Sequence, residues 1–292
     1  MTYDTFLFFD ELELLELRLE ELSSVVDRFV LVESTRTFSN QPKPLIYKEN
    51  RDRFARFAPK IVHVVVEDTE RAVRDWAPEG KLRFAIEDHD RRAISRGLQG
   101  CCPSDLILTG DVDEIPRAEV VRACSQRVFR DTPAARMWSA WLRQPWVVRH
   151  FRNLFKKHHP LVTVFEQRMY YYFLNCACVN KPWWSGTRMV SYRDFTSAYD
   201  LRRWNGRRLP NAGWHFSYMG GAERIRRKIA AYAHQEFNRP EFTDPERIVQ
   251  SISNLKYVLG GETELAWNEV DASFPQFIRE NRKRFAAWLG PP

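Results

Sequence analysis

Paired cysteines, glycosylation sequons, long apolar runs and low-complexity tracts are what this sequence does without. Its five Cys stand at 101, 102, 124, 176 and 178; the number is odd and none forms C-x-x-C. That argues against a zinc site or a disulfide framework and favours a reducing compartment. No N-x-S/T acceptor occurs anywhere in the chain. No apolar run approaches the roughly 18 residues a spanning helix needs. The opening MTYDTFLFFDELELL has no basic segment and is acidic by Asp10, so it does not read as a secretory leader. The expected location is the cytoplasm. Gly220–Gly221 is not followed by G-K-[ST], which removes the phosphate loop of the P-loop enzymes. There is no internal repeat and no obvious linker, so the expectation is a single domain over 1–292.

What is present is a foldable, basic, aromatic chain. Hydrophobic residues make up 44% of 292, enough for a sizeable core, and charged residues make up 28%. Ten Trp in one chain is unusual, and Trp and Tyr suit sites that need a flat apolar face with a polar edge. The net charge of +7 suits an anionic ligand, an anionic membrane surface or nucleic acid, and equally plain solubility.

Strand and helix patterns alternate through the first 130 residues. Strands are expected at 3–9, 28–33, 61–66 and 106–109, and helices after Asp10, over 51–57, 81–97 and 116–129. Asp10 stands as the N-cap of the first helix, with Glu13 at the capping-box position. Such alternation gives an α/β fold, a mostly parallel sheet with helices on both faces, whose ligands bind at the carboxyl ends of the strands. The second half reads differently. Strands are expected at 136–142, 168–177 and 188–192, a strand-loop at 210–221, and helices at about 222–236 and 244–259 as a C-terminal extension.

The most informative stretch is DLILTGDVDEIPR, residues 105–117. It brings Asp111, Asp113 and Glu114 to the end of the fourth strand. Three ionised carboxylates this close repel one another, and they make sense around a hard cation such as Mn²⁺ or Mg²⁺ that bridges a diphosphate. The plain alternative is a solvated acidic loop. Phosphatases that use D-x-D place it after the first strand, not the fourth.

FFDELELLELRLEEL, VDRFVLVESTRTFSNQPKPL, LILTGDVDEIPR and NAGWHFSYMGG, in that order, resemble glycosyltransferase family 17. The similarity runs over roughly residues 3–260 and is dense before residue 117. The resemblance implies a GT-A (Rossmann-like) fold, a UDP-sugar donor with UDP-GlcNAc first, a divalent metal and an inverting transfer. By position it places Asp111 and Asp113 at the metal, with His215 of the G-W-H segment as a further ligand. It places Glu11, Glu33, Arg91, Asp111 and Glu114 at the donor, with residues 1–130 as the nucleotide-sugar half and 131–292 as the acceptor side. Asp10 stands where the family has Asn, and Arg92 where bacterial relatives often have Asn. Animal members carry a membrane anchor and a lumenal stem. Neither segment is read in this sequence, so the expected acceptor is a glycan, a lipid-linked sugar or a small molecule rather than a glycoprotein.

An inverting transfer needs a general base, and Glu223 and Asp194 are candidates beside Asp113. Trp183 and Trp184, expected in a loop, are candidates to stack on an acceptor sugar. The basic aromatic stretch 143–159 suits a peripheral contact with the inner membrane face, or a lid, or a solvated helix. His158–His159 is expected in a surface turn. Two other classes stay open: a nucleic-acid-binding basic module, and a metal-dependent nucleotide-diphosphate hydrolase. No recognition motif supports the former and the basic residues are scattered, so nucleic acid is not the expected partner.

Overall fold

The computed structural model describes residues 1–74, 82–126, 137, 140, 141 and 158–291. Its elements run β1 (Thr2–Phe8), α1 (Leu12–Leu22), β2 (Arg28–Ser34), α2 (Ile46–Glu49), β3 (Ile61–Val66), α3 (Thr69–Arg74), α4 (Leu82–Ala93), β4 (Leu106–Asp111), β5 (Glu114–Pro116) and α5 (Ala118–Gln126). There follow β6 (His158–Tyr171), β7 (Cys176–Cys178), β8 (Trp183–Ser191), α6 (Ala198–Arg203), β9 (Asn205–Ser217), α7 (Gly221–Ala231), α8 (Pro240–Thr243), α9 (Pro245–Ser253), β10 (Leu265–Trp267) and α10 (Gln276–Glu280). A 3₁₀ segment, Arg51–Lys60, leads into β3.

The sheet runs β10-β7-β6-β8-β4-β1-β2-β3, with β9 alongside β6 and β5 on β9. Its first half is the expected parallel unit: β1 pairs with β2 and β4, and β2 with β3, all parallel. The run FVLV in β2 shows why. Phe29 and Leu31 pack into the core beneath α1, while Val30 and Val32 pack into a second core with Ala93 and Ile94. A strand apolar at every position is a strand covered on both faces. The second half is joined to it antiparallel, through β4 and β8. Trp214 and Phe216 of β9 meet Leu14 and Leu17 of α1 in a third core.

Several local expectations change. The N-cap of α1 is Glu11, not Asp10, and no side chain caps it. Trp183 and Trp184 open β8 rather than lying in a loop. His158 and His159 open β6, so they are not a turn. Of the strand expected at 136–142, the described residues Met137, Ala140 and Trp141 are helical. The stretch 143–157, to which the membrane contact was ascribed, lies outside the described residues.

Candidate active site

The carboxyl ends of β1, β2 and β4 come together in register, with Leu7 opposite Asp111 and Phe8 opposite Glu33. Beyond them opens a cleft with a cavity volume of about 290 Å³, lined by Glu11, Arg91, Asp111, Asp113, Glu114, Trp184 and His215 among others. This is the place where open α/β sheets hold ligands.

The acidic turn is shaped by Gly110. A Cβ there would sit 2.8 Å from Thr187 Oγ1 and 2.9 Å from Glu114 Oε2. Without it, Glu114 folds back and its Oε2 accepts from the Asp111 amide at 2.9 Å. Arg18 holds the turn from below. Its Nη1 donates to the carbonyls of Asp111 (2.7 Å) and Glu114 (2.8 Å), while Nε and Nη2 bind both oxygens of Asp4.

Each carboxylate has its own cations. Asp111 accepts from Arg91 Nη1 at 2.8 Å and lies 3.1 Å from Arg202 Nη2. Glu114 takes both arms of Arg202, at 2.7 and 3.1 Å, and the Trp184 indole N–H at 2.7 Å. Asp113 accepts from Lys228 Nζ at 2.7 Å, and the same ammonium lies 3.2 Å from Glu11. Burial by itself would raise these carboxyls. Arg202 and Arg91 outweigh it at Asp111, Lys228 and His215 at Asp113, and Arg202 at Glu114, so all three lie below the usual carboxylate range. The same pairs hold Arg202 and Lys228 in their charged forms against desolvation.

Of the residues singled out from the sequence, Glu11, Arg91, Asp111, Asp113, Glu114, Trp184 and His215 share this cleft. Glu33 is placed otherwise. It is fully buried and accepts from the Tyr47 amide at 2.8 Å, with His63 Nε2 at 3.0 Å, so its carboxylate fixes the corner between β2 and α2. Glu223 is exposed and bound to Arg226. Asp194 accepts from Ser191 Oγ just beyond β8. Neither lines the cleft. Trp183 does not line it either and lies beneath the guanidinium of Arg168.

Sequence reasoning missed Arg18, Arg202 and Lys228. A signal existed for two of them. Arg18 interrupts the leucine stripe of α1, and Asp4 interrupts an apolar strand, a paired breach that calls for an ion pair. In α7, Arg224, Arg227 and Lys228 recur at helical spacing, and they meet Glu13, Asp10 and Glu11. That docking explains the unused capping box. Arg202 carries no such mark.

A divalent cation can be tested against these residues. His215 Nε2 stands 3.6 Å from Asp113 Oδ1, too far for a hydrogen bond and wider than the roughly 3.0 Å between neighbouring octahedral ligands with bonds of about 2.1 Å. The other ring nitrogen, Nδ1, is buried without a hydrogen-bond partner. Carboxylate and imidazole are acceptable donors to Mn²⁺. The pair fits such an ion by donor chemistry, and a small approach of the two side chains would bring both within ligand range. Among the described residues no group of three or more His, Cys, Asp or Glu converges to complete a site. The ammonium of Lys228 stands at Asp113 instead.

Comparisons with known proteins bear on the same region. The human β-1,4-mannosyl-glycoprotein 4-β-N-acetylglucosaminyltransferase is 25% identical over 97% of this chain and 54% of its own. The enzyme of the same name from Rattus norvegicus is 33% identical over 38% of this chain and 21% of its own. The chain thus spans about half the length of the human relative, and the rat alignment covers a fifth of that protein. Among solved structures, the inositol-1-phosphate CTP transferase from T. maritima aligns at 9% identity and a TM-score of 0.32 over 100% of this chain and 98% of that one, too slight a likeness to argue from. The profile of glycosyltransferase family 17 matches residues 1–129, the parallel half with its DVDE turn. Over those residues, somewhat less than half of the chain, the protein is similar to glycosyltransferase family 17.

Proposed function

We propose that this cleft transfers a sugar, GlcNAc first among candidates, from a UDP-sugar to a hydroxyl of a glycan or related acceptor. The observation that carries the reading is the meeting of Asp111, Asp113 and Glu114 with Arg91, Arg202 and Lys228 at the carboxyl ends of the parallel strands. The family match and the relatives' names support the sugar chemistry. The GT-A fold and inversion at the anomeric carbon come with the family resemblance.

In the transfer, the acceptor oxygen bonds to the anomeric carbon as the bond from that carbon to the diphosphate oxygen breaks. The acceptor's proton leaves to a base, and the diphosphate leaves with the electron pair. Negative charge therefore grows on the leaving phosphate, and groups that stabilise it there lower the barrier. Arg91 is placed to do so, its fork fixed by Asp111 and Glu87. Asp113 and His215 would hold a Mn²⁺ or Mg²⁺ ion, which when bound supplies Lewis-acid stabilisation of the diphosphate. Trp184 presents a partly exposed indole at the mouth, its edge fixed by Glu114, as a platform for a sugar ring.

The test is turnover and slow hydrolysis of UDP-, GDP- and CDP-sugars, with and without Mn²⁺, by wild type and Asp113→Asn. Mn²⁺-dependent consumption of UDP-GlcNAc, reduced at least ~100-fold in the variant, is expected, in line with the loss of a group that acts on transition-state charge. A folded protein that consumes none of these donors overturns the reading.

A further inference from the structure

We propose that Glu114 is a positioning residue rather than a ligand of the donor, and that with Arg202 it fixes the Trp184 indole as the wall against which the transferred sugar stacks. This rests on the nucleotide-sugar reading above and adds to it the place of the sugar ring.

The Glu114 carboxylate has no acceptor site left for a substrate. Its Oε1 accepts from the Trp184 indole N–H at 2.7 Å and from Arg202 Nη2 at 3.1 Å, and its Oε2 from Arg202 Nη1 at 2.7 Å and from the Asp111 amide at 2.9 Å. A carboxylate offers about four lone-pair sites, and these donors use them. The residue is 1% exposed. Every partner is a donor, so the near-isosteric amide of Gln would set N–H against N–H at one or more of them. Arg202 reaches the turn from α6 and is not among the residues that line the cleft, so it too acts through Glu114 and Asp111. The backbone is tied in the same way, for Thr187 Oγ1 of β8, the strand that carries Trp184, donates to the Glu114 carbonyl at 3.1 Å.

What this arrangement fixes is the indole. Trp184 lines the cleft and is 40% exposed, and an indole left to itself at such a mouth turns about its side-chain bonds. Its N–H, held by a charged acceptor, sets the tilt of the ring face. The ring centroid lies 5.3 Å from that of His215, whose Nε2 is 3.6 Å from Asp113. The platform thus stands beside the acidic turn, where the diphosphate would lie, and the sugar bonded directly to that diphosphate comes within its reach. Where the sequence suggests an acceptor platform, this closeness to the turn gives Trp184 to the donor's own sugar.

The experiment compares the Kd of UDP-GlcNAc with that of UDP, by calorimetry with Mn²⁺ present, on wild type, Glu114→Gln, Trp184→Phe and the double variant. The ratio of the two constants cancels any damage to the diphosphate end that both ligands feel. Glu114→Gln and Trp184→Phe are each expected to raise the ratio Kd(UDP-GlcNAc)/Kd(UDP) about 5-fold, the size of one aromatic stacking contact. The double variant raises it no further, because the one residue acts through the other. A ratio unmoved in either single variant, or effects that multiply in the double variant, overturns the proposal and leaves the nucleotide-sugar reading standing. Binding of neither ligand by folded wild type overturns both. A readout on the wild type covers the case in which Glu114→Gln does not fold. The Trp184 indole N–H, assigned in the nuclear magnetic resonance spectrum by its absence from Trp184→Phe, should exchange with solvent at least ~10-fold more slowly than a free indole, as a hydrogen bond to a charged group requires. Arg202→Lys, which keeps the charge and loses the fork, should speed that exchange. Exchange at the free rate in wild type, or a rate that Arg202→Lys leaves unchanged, overturns the proposal.

Discussion

Arg18 ties the interior to the cleft. Arg18 and Asp4 are both fully buried, and the guanidinium also lies over the Phe6 ring. Its remaining donors go to the carbonyls of the acidic turn. Removing one partner of a buried ion pair leaves the other uncompensated and costs about 3–5 kcal/mol, whereas removing both is often nearly neutral. Arg18→Met should therefore lose about 3–5 kcal/mol in urea unfolding. Asp4→Leu/Arg18→Met should recover much of that stability but not donor affinity, because the Asp111 and Glu114 carbonyls stay without their donor. Full recovery of both would show that the turn does not depend on Arg18. Asp90 is a second buried acid at the cleft. Burial pushes its carboxyl up from 3.8 to about 7, only partly offset by hydrogen bonds from Thr69 and Ser34. Between those values the folded state binds more protons than the unfolded, so stability falls as pH rises from about 4 to about 7, by up to ~1.4 kcal/mol per unit. Asp90→Asn keeps an acceptor for Thr69 and removes the titration. It should be more stable than wild type at pH 8 by about 1–3 kcal/mol, with the difference largely gone near pH 4. Parallel unfolding curves at both pH values would contradict this.

At the scale of elements, β9 decides where His215 stands. Its pairing with β5 sets Glu114 opposite His215, Ile115 opposite Trp214 and Pro116 opposite Gly213. A Cβ on Gly213 would lie 2.2 Å from the Ile115 carbonyl oxygen and 2.9 Å from Pro116 Cα, both backbone, so no side chain can yield. Gly213→Ala should push β9 off β5, cost about 1–3 kcal/mol and weaken Mn²⁺ binding, read by thermal unfolding and by titration. Wild-type affinity in the variant would mean that β9 tolerates the shift. The same element shows what a sequence carries. GWHFS announced a strand, and DVDE announced a charged site at a strand end, because both are local patterns. The N-cap was misread because Asp10 and Glu13 meet the cations of α7, more than 200 residues away, and Glu11 shares Lys228 with Asp113. Glu33 has the burial of a site residue, but its partners Tyr47 and His63 turn it into a brace. Partnerships over such separations leave no periodicity to read.

At the scale of the whole molecule, the parallel half was legible because its strands are short, mostly apolar runs that alternate with helices. The second half was less so. Its strands β8 and β9 mix buried and exposed positions, and they pair with β4 and β5 of the first half as well as with β6. The hydrogen-bonded join between β4 and β8 runs from Leu106 opposite Ser191 to Thr109 opposite Arg188. Two cores also cross the midpoint: Phe6 and Leu108 pack in one with Phe165 and Met189, and Leu14 and Ile115 in the other with Trp214 and Phe285. If the halves share a sheet and two cores, neither has a complete interior of its own, and the chain should unfold as one cooperative unit. The sequence supplies the reporter. Nine of the ten Trp lie at or after residue 138, so tryptophan fluorescence follows the second half, while far-UV circular dichroism weighs both. In urea the two signals should trace one coincident transition. A circular-dichroism transition that continues after fluorescence is complete would mean that the parallel half stands alone, and residues 1–130 would then be a separate domain rather than half of one.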